Sequence, residues 1–345
     1  MTFRQTLVDR APYIILGLLG GAALLIGAAW IAVQSVLAPV SDQEAGTVVV
    51  EIPARASTGQ IGALLADQGL VRNAAAFRLY ARFQQLDANL KAGEYELSPS
   101  QSTPEIIEIL AQGRARLVAF TVPEGLTLEQ TAILLADRGF VDAGVFVRVL
   151  DEKAAAHPLS SGLPEAARSL EGYLFPDTYH ISSGTGEERI LDLLLARFEQ
   201  EIVSLDLERR AAACGLNLHE AVTLASLIER EARVAEERRV ISGVLHNRLR
   251  LNMPLQVDAT VIYALGDFDR RVVLYRDLEV DSPYNTYRFY GLPPGPIASP
   301  GRDSLAAAVD PEEHGYLYYV AKPDGTHAFS RTLAEHNANK RRYLP

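Results

Sequence analysis

Apolar residues are spread unevenly along the chain's 345 positions. From Tyr13 to Val33 there is no charged side chain, and Leu, Ile, Ala and Gly dominate. At about 1.5 Å per residue such a stretch crosses a hydrocarbon core of about 30 Å. It is too long for the apolar core of a signal peptide, and no small-x-small cleavage site ends it. The pattern then changes to alternating short strands and amphipathic helices. Val50-Glu-Ile-Pro53 is followed by Ser57, Gln60, Leu64, Leu65, Asp67, Gly69 and Val71. Thr121-Val-Pro123 is followed by Thr127, Gln130, Leu134, Leu135, Asp137, Gly139 and Val141, about seventy residues later. Each copy predicts a strand ending at Pro, a helix opened by a Ser/Thr…Gln capping box, and a Gly stop. Leu90 to Tyr95 reads as a further strand, and Thr103-Pro104 as a helix start with Thr at the N-cap.

Residues 47–118 therefore read strand–helix–helix–strand–helix, a small βααβ module whose element order resembles a LysM domain. Further on, helices are predicted over Glu187–Ile202, Leu205–Ala213, Glu220–Arg233 and Glu236–Leu249. From Leu255 the chain becomes rich in Tyr, Asn, Pro and Gly, and Tyr284 to Gly301 is predicted as an irregular aromatic loop suited to a groove wall. Asp303–Val309 and Leu333–Tyr343 read as helices and Gly315–Ala321 as a strand. The expected fold class is α+β: a transmembrane helix, a LysM-like module, and a mixed α+β domain with a helical core. The boundaries are a tail over 1–12, a span over 13–36, the module over 47–118 and a catalytic domain over 119–345.

Charge and composition remove several function classes. The formal net charge is −10, and no Lys/Arg stripe is interleaved with aromatics, which argues against nucleic-acid binding. The one cysteine, Cys214, excludes an intramolecular disulfide. The seven histidines are scattered without ligand spacing, so no metal and no cofactor are expected. Arg4 and Arg10 precede the apolar span while Asp42 and Glu44 follow it, which places the N-terminus in the cytoplasm and the rest outside.

The chemistry centres on Leu224-Ala-Ser-Leu-Ile-Glu-Arg-Glu-Ala-Arg233. Glu229 closes the apolar run Ala221–Ile228, and desolvation at such a place favours the protonated form that a general acid needs. Two carboxylates compete, Glu229 and Glu231, lying nearly opposite at about 100° per residue. Glu229 shares its stripe with the small residues Ala225, Ser226 and Ala232, which leaves room for a ligand; Glu231 shares its stripe with Leu224, Leu227 and Ile228, a packing face. Periodicity leans toward Glu229. Gln256, Asp258, Tyr284, Asn285 and Tyr287 are candidate binding groups, Asp258 being equally readable as a helix N-cap. Glu171 and Asp177 are further acids, Asp177 after Pro176 reading as a turn residue.

Several segments together resemble one family. They are Leu170-Glu-Gly-Tyr-Leu-Phe-Pro-Asp-Thr-Tyr179, Ala225-Ser-Leu-Ile-Glu-Arg-Glu231, Asn247-Arg-Leu249 and Leu255-Gln-x-Asp-x-Thr-Val-Ile-Tyr263. Ser282-Pro-Tyr-Asn-Thr-Tyr287, Gly291-Leu-Pro-Pro-Gly-Pro-Ile297 and Tyr318-Tyr-Val320 follow in order. The chain is similar over essentially its whole length to the YceG-like endolytic murein transglycosylases (MltG). The resemblance implies cleavage of the β-1,4 bond between N-acetylmuramic acid and N-acetylglucosamine, with a 1,6-anhydro product and Glu229 as sole acid/base. It also implies action on nascent glycan strands at the inner membrane, by a single-pass protein whose catalytic domain is periplasmic. The implied partners are peptidoglycan strands, the membrane, and cell-wall synthases or divisome proteins. Two other readings fit the residues: a membrane-anchored peptidoglycan-binding scaffold, and a hydrolytic muramidase with a second carboxylate. The predicted topology is checked by fusing a reporter after residue 120. A reporter that works only outside the cytoplasm is expected to be active, and one that works only in the cytoplasm silent.

Overall fold

The computed structural model describes residues 21, 24–41, 46–53, 55–114, 116–161, 163, 169–268, 270 and 272–344. Its elements alternate short strands with helices, an α+β chain whose sheets are two-stranded ribbons among the described residues. The expected membrane span falls mainly outside the described residues. Its described end belongs to helix α1, Leu24–Leu37, and among the described residues no single helix is long and apolar enough to cross a membrane. The chain divides into two compact units, residues 1–118 with 181–184, and residues 119–180 with 185–345.

In the first unit, β1 (Val48–Ile52) runs antiparallel to β2 (Gly93–Leu97), with Val50 opposite Tyr95. Helices α2 (Thr58–Asp67) and α3 (Ala74–Phe83) lie between them in sequence, and α4 (Thr103–Gln112) follows. The strands bury alternate residues, Val50, Ile52, Tyr95 and Leu97. These pack with Leu65, Phe77, Ile106 and Leu110 into one core, as period-two strands over amphipathic helices require. Ser57 and Gln60 close the expected capping box on α2. On α4 the N-cap is Ser102, one residue before the expected Thr103, because Glu105 reaches back to the backbone of Ser102.

Strand β3 (Leu117–Thr121) pairs with β4 (Thr178–Ser182); the elements that follow lie in the second unit. Helix α5 (Leu128–Asp137) opens with the predicted Thr127–Gln130 box, and α6 (Ala143–Ala156) and α7 (Pro158–Ser161) follow. The helical core comprises α8 (Glu187–Leu205), α9 (Leu207–Ala213) and α10 (Leu218–Glu231), then α11 (Arg238–Arg250) and α12 (Asp258–Leu265). Helix α13 (Arg302–Ala308) packs on α10. The chain ends with a hairpin, β5 (Tyr318–Ala321) and β6 (His327–Ser330), and with α14 (Leu333–Tyr343) against it.

Helix α10 is the axis of this unit. Asn217 and Glu220 form its capping box, and every residue from Ala221 to Ile228 is buried. Ser226 Oγ donates to Thr223 O and accepts from Ile297 N, so the helix grips the Pro/Gly-rich loop before α13. Gly172 has to be glycine here. Its φ is +83°, and an added Cβ would lie 2.4 Å from Pro296 Cβ. Gly172→Ala is therefore expected to destabilise the unit by about 2–4 kcal/mol, overpacking and left-handed strain combined, read from the denaturant midpoint at unchanged m-value.

Candidate active site

An open cavity of about 770 Å³ lies in the second unit where α10 ends, walled by α11, α12, the β5–β6 hairpin and α14. The helix run is sealed until its last turn, so the first carboxylate of α10 to reach this cavity is Glu231. Tyr319 Oη donates to Glu231 Oε2 at 2.8 Å. Burial pushes the Glu231 carboxyl up to about 7. The Tyr319 hydrogen bond works against that shift, the Asp258 charge reinforces it, and Arg230 and Arg233 oppose it. Glu231 keeps part of its surface open to the cavity, yet dense protein around it makes desolvation dominant. It is thus a carboxylic acid that holds its proton near neutrality, with one oxygen already occupied by a phenol.

Arg248 forms the floor. It is only 7 % exposed and donates to Leu317 O at 2.7 Å, Leu255 O at 2.8 Å and Pro254 O at 3.2 Å. Its guanidinium also lies 5.1 Å from the Tyr318 ring centre. One side chain from α11 therefore fixes both the strand that carries Tyr319 and the segment that carries Gln256. Gln256 has a left-handed backbone, φ +53°, held by donation of its N–H to Thr286 O at 3.1 Å. Val257 N donates to Thr286 Oγ1 beside it, and α12 starts at Asp258. Tyr287 Oη donates to Asp258 Oδ1. Burial raises the Tyr287 and Tyr319 phenols, which therefore stay protonated donors.

Of the residues predicted from sequence, Gln256, Asp258 and Tyr287 meet in this cavity with Glu231. Asp258 is the first residue of α12 and Val257 is its N-cap, so the capping alternative for Asp258 is not what forms. Tyr284 and Asn285 do not line the cavity. The Tyr284 ring lies tilted against that of Tyr263, their centres 4.8 Å apart. Asn285 is fully buried and donates to Leu278 O and Val280 O, both at 2.9 Å, while its Oδ1 accepts from Tyr287 N, so it staples the loop.

Glu229 also stands apart from the cavity lining. Its side chain is 8 % exposed; Oε2 accepts from Gly301 N at 3.0 Å, and Oε1 is 3.8 Å from Arg238 Nη2. Helix α10 packs here on the Ala-rich α13. Glu171, the acid of the first signature, is buried and pushed up to about 7 by that burial. It accepts Leu128 N on both oxygens, at 3.1 and 3.2 Å, and so anchors the start of α5. Asp177 pairs with Arg197 at 2.8 Å. Sequence reasoning weighed Glu231 and leaned to Glu229, and it did not single out Arg248 and Tyr319, although both lie inside a quoted motif.

A buried proton-holding carboxyl, a tyrosine on its second oxygen and an open cleft of phenols, amides and cations suit general-acid catalysis. The comparisons narrow that class. Residues 50–342 match the YceG-like family, and the chain belongs to it. It is 36% identical to the "Endolytic murein transglycosylase" of Bacillus subtilis (strain 168), over 93% of this chain and 91% of that protein. It is 32% identical to the protein so named in Streptococcus pneumoniae D39, over 88% of this chain but only 59% of that longer protein. The crystal structure of a YceG-like protein from Listeria monocytogenes superposes with TM-score 0.59 at 36% identity, covering 87% of this chain and 100% of that one.

Ionisation of Glu231 in the folded state costs stability. Its carboxyl is raised from 4.5 to about 7, so the proton contributes fully below pH 4.5 and its contribution is gone once pH has risen through about 7. Replacement by Gln removes that dependence. Glu231→Gln is expected to melt above the parent protein at pH 8, with the gap closing as pH is lowered from 7 to 4.5, as read by calorimetry.

Proposed function

We propose that this chain is an endolytic peptidoglycan lytic transglycosylase in which Glu231 is the acid/base. The observation that carries the assignment is the cavity at the end of α10, where Glu231 meets Gln256, Asp258 and Tyr287. The names of the relatives support the reaction class.

Glu231, protonated near neutrality, gives its proton to the glycosidic oxygen as the muramic acid C1–O4 bond breaks. Because Tyr319 occupies Oε2, the transferred proton comes from Oε1. The carboxylate formed is stabilised by the same phenol and then takes the proton of the muramic acid C6 hydroxyl. The C6 oxygen closes on C1, giving the 1,6-anhydro ring, and no water is consumed. The nucleophile belongs to the substrate, so its effective concentration is high and one carboxyl suffices. Asp258, held by the Tyr287 hydroxyl, supplies negative charge beside an oxocarbenium-like transition state, and Gln256 offers an amide to the sugar.

A second reading draws on the same Asp258. Two carboxyl groups in one cleft also suit a hydrolytic muramidase, in which one of them activates water. Product mass separates the two, since the hydrolase product is one water heavier.

The remaining parts of the proposal concern placement. The exposed apolar side chains of α1, among them Leu24, Leu25, Ile26 and Ile31, support a single membrane anchor over residues 13–36 with the N-terminus cytoplasmic. The βααβ order of β1, α2, α3 and β2 supports a LysM-like module over 47–118, ahead of a catalytic domain over 119–345. An anchored active site of this kind would cut nascent strands at the outer face of the inner membrane.

Glu231→Gln is expected to lose about 10²–10⁴-fold in the rate of anhydro-product formation on purified sacculi. Glu229→Gln is expected to keep activity within about tenfold of the parent, since its carboxylate serves Gly301 and Arg238 and not the cavity. A folded Glu231→Gln enzyme of near-parental rate, beside an inactive Glu229→Gln, would return the role to Glu229.

A further inference from the structure

The cations around the cavity are more numerous than its acids require. Arg230, Arg233, Arg248 and Lys340 all line it in a chain of formal net charge −10. Arg248 is spent on carbonyl oxygens of the floor, and Arg230 gives Nη1 to Gly125 O at 2.9 Å. Arg270 is neutralised by Asp267 and Asp277. Of the cavity acids, Asp258 is engaged by the Tyr287 hydroxyl and Glu231 by Tyr319. Arg233 and Lys340 are exposed and have no ion pair or side-chain hydrogen bond among the described residues. They come from different elements, just past the end of α10 and the last turn of α14, and converge on one opening.

We infer that Arg233 and Lys340 form an anion subsite at the mouth of the catalytic cavity, and that its ligand is a carboxylate of the peptide stem on the substrate's muramic acid. The inference rests on the proposed transglycosylase reading and names the part of the substrate that the uncharged sugars leave unexplained. Muramic acid is one of the two sugars of the bond to be cut, so its stem is tied within one sugar of Glu231. Arg233 is two residues from Glu231. A lipid-linked pyrophosphate would also be anionic, but it exists only at a strand's end, whereas an endolytic cut falls inside the strand. Two exposed cations on separate elements suit a flexible peptide carboxylate better than the rigid bidentate clamp that a fixed phosphate invites.

The test compares three substrates for the full-length protein: lipid-free strands with free stem carboxylates, the same strands with those carboxylates capped as amides, and lipid-linked strands. The parent enzyme is expected to show a KM about tenfold lower for strands with free stem carboxylates than for capped strands, an advantage that falls as salt rises. In the double variant Arg233→Ala/Lys340→Ala that ratio is expected to collapse toward one, and Arg233→Lys is expected to restore much of it. A parental ratio of one, or a ratio unchanged in the double variant, overturns the subsite. So does a kcat loss shared equally by all three substrates, which would mean the cations only tune Glu231. A KM loss confined to lipid-linked strands also overturns it, in favour of the pyrophosphate. Absence of anhydro product from the parent enzyme on every substrate would remove the transglycosylase reading itself, a result distinct from product formed at an unchanged ratio.

Discussion

The burial of one helix governs this architecture. From Ala221 to Ile228 α10 presents no face to solvent, so it has to be surrounded, and α9, α11, α12 and α13 do so. A helix enclosed on all sides can expose functional groups only at its ends. Its N-terminus is used by the Asn217–Glu220 box, which satisfies the free backbone N–H groups locally. The C-terminal turn is left, and there the chain places two carboxylates two residues apart. One faces α13 and the other the cleft. The chemistry of the site follows from which neighbour each of them meets.

The neighbours are themselves held by buried polar side chains. Arg248 satisfies three carbonyl oxygens from two separate segments, and Asn247 donates to His314 O and Tyr316 O next to it. Together they fix β5 against the end of α11, which aims Tyr319 at Glu231. Thr286 does the corresponding work for Gln256 and Val257. Leaving such carbonyls unpaired would cost about 1–3 kcal/mol each. The cleft walls are therefore irregular in backbone and still well determined, which preorganised dipoles require.

What was legible in the sequence was local. The capping boxes at Ser57 and Thr127 depend on residues three apart, and the helix of the Ala221–Ile228 run depends on its own composition. The choice between Glu229 and Glu231 depends on which tertiary element covers each side, and a small-residue stripe has two opposite meanings: space for a ligand, or a seam for another helix. Here α10 packs on α13, whose Leu305, Ala307 and Ala308 are buried. Asn285 misled for a related reason. A polar residue in a Tyr- and Pro-rich loop resembles a binding group, but a loop this irregular needs internal donors to satisfy its own carbonyls. The strand β6 was overlooked although Asp324-Gly325, with Gly325 at φ +87°, is a hairpin signal between Tyr318–Ala321 and His327–Ser330.

Glu229 has a physical role of its own in the fold. Its carboxylate takes the N–H of Gly301, the residue that opens α13, and a Cβ at Gly301 would strike the Glu124 carboxylate. Glu124 is raised by burial first and by the Glu229 charge second, with Arg238 opposing both. Two carboxylates and one arginine thus converge on a glycine that must stay bare for α13 to start where it does. If α13 shifted, the seam on α10 would open and the last turn of that helix, with Glu231 on it, would lose its backing. The acid facing the cleft keeps its position partly because the acid two residues earlier is committed to the opposite side. Two glutamates so close in sequence are therefore committed to opposite sides of one helix, one to the start of α13 and the other to the cleft.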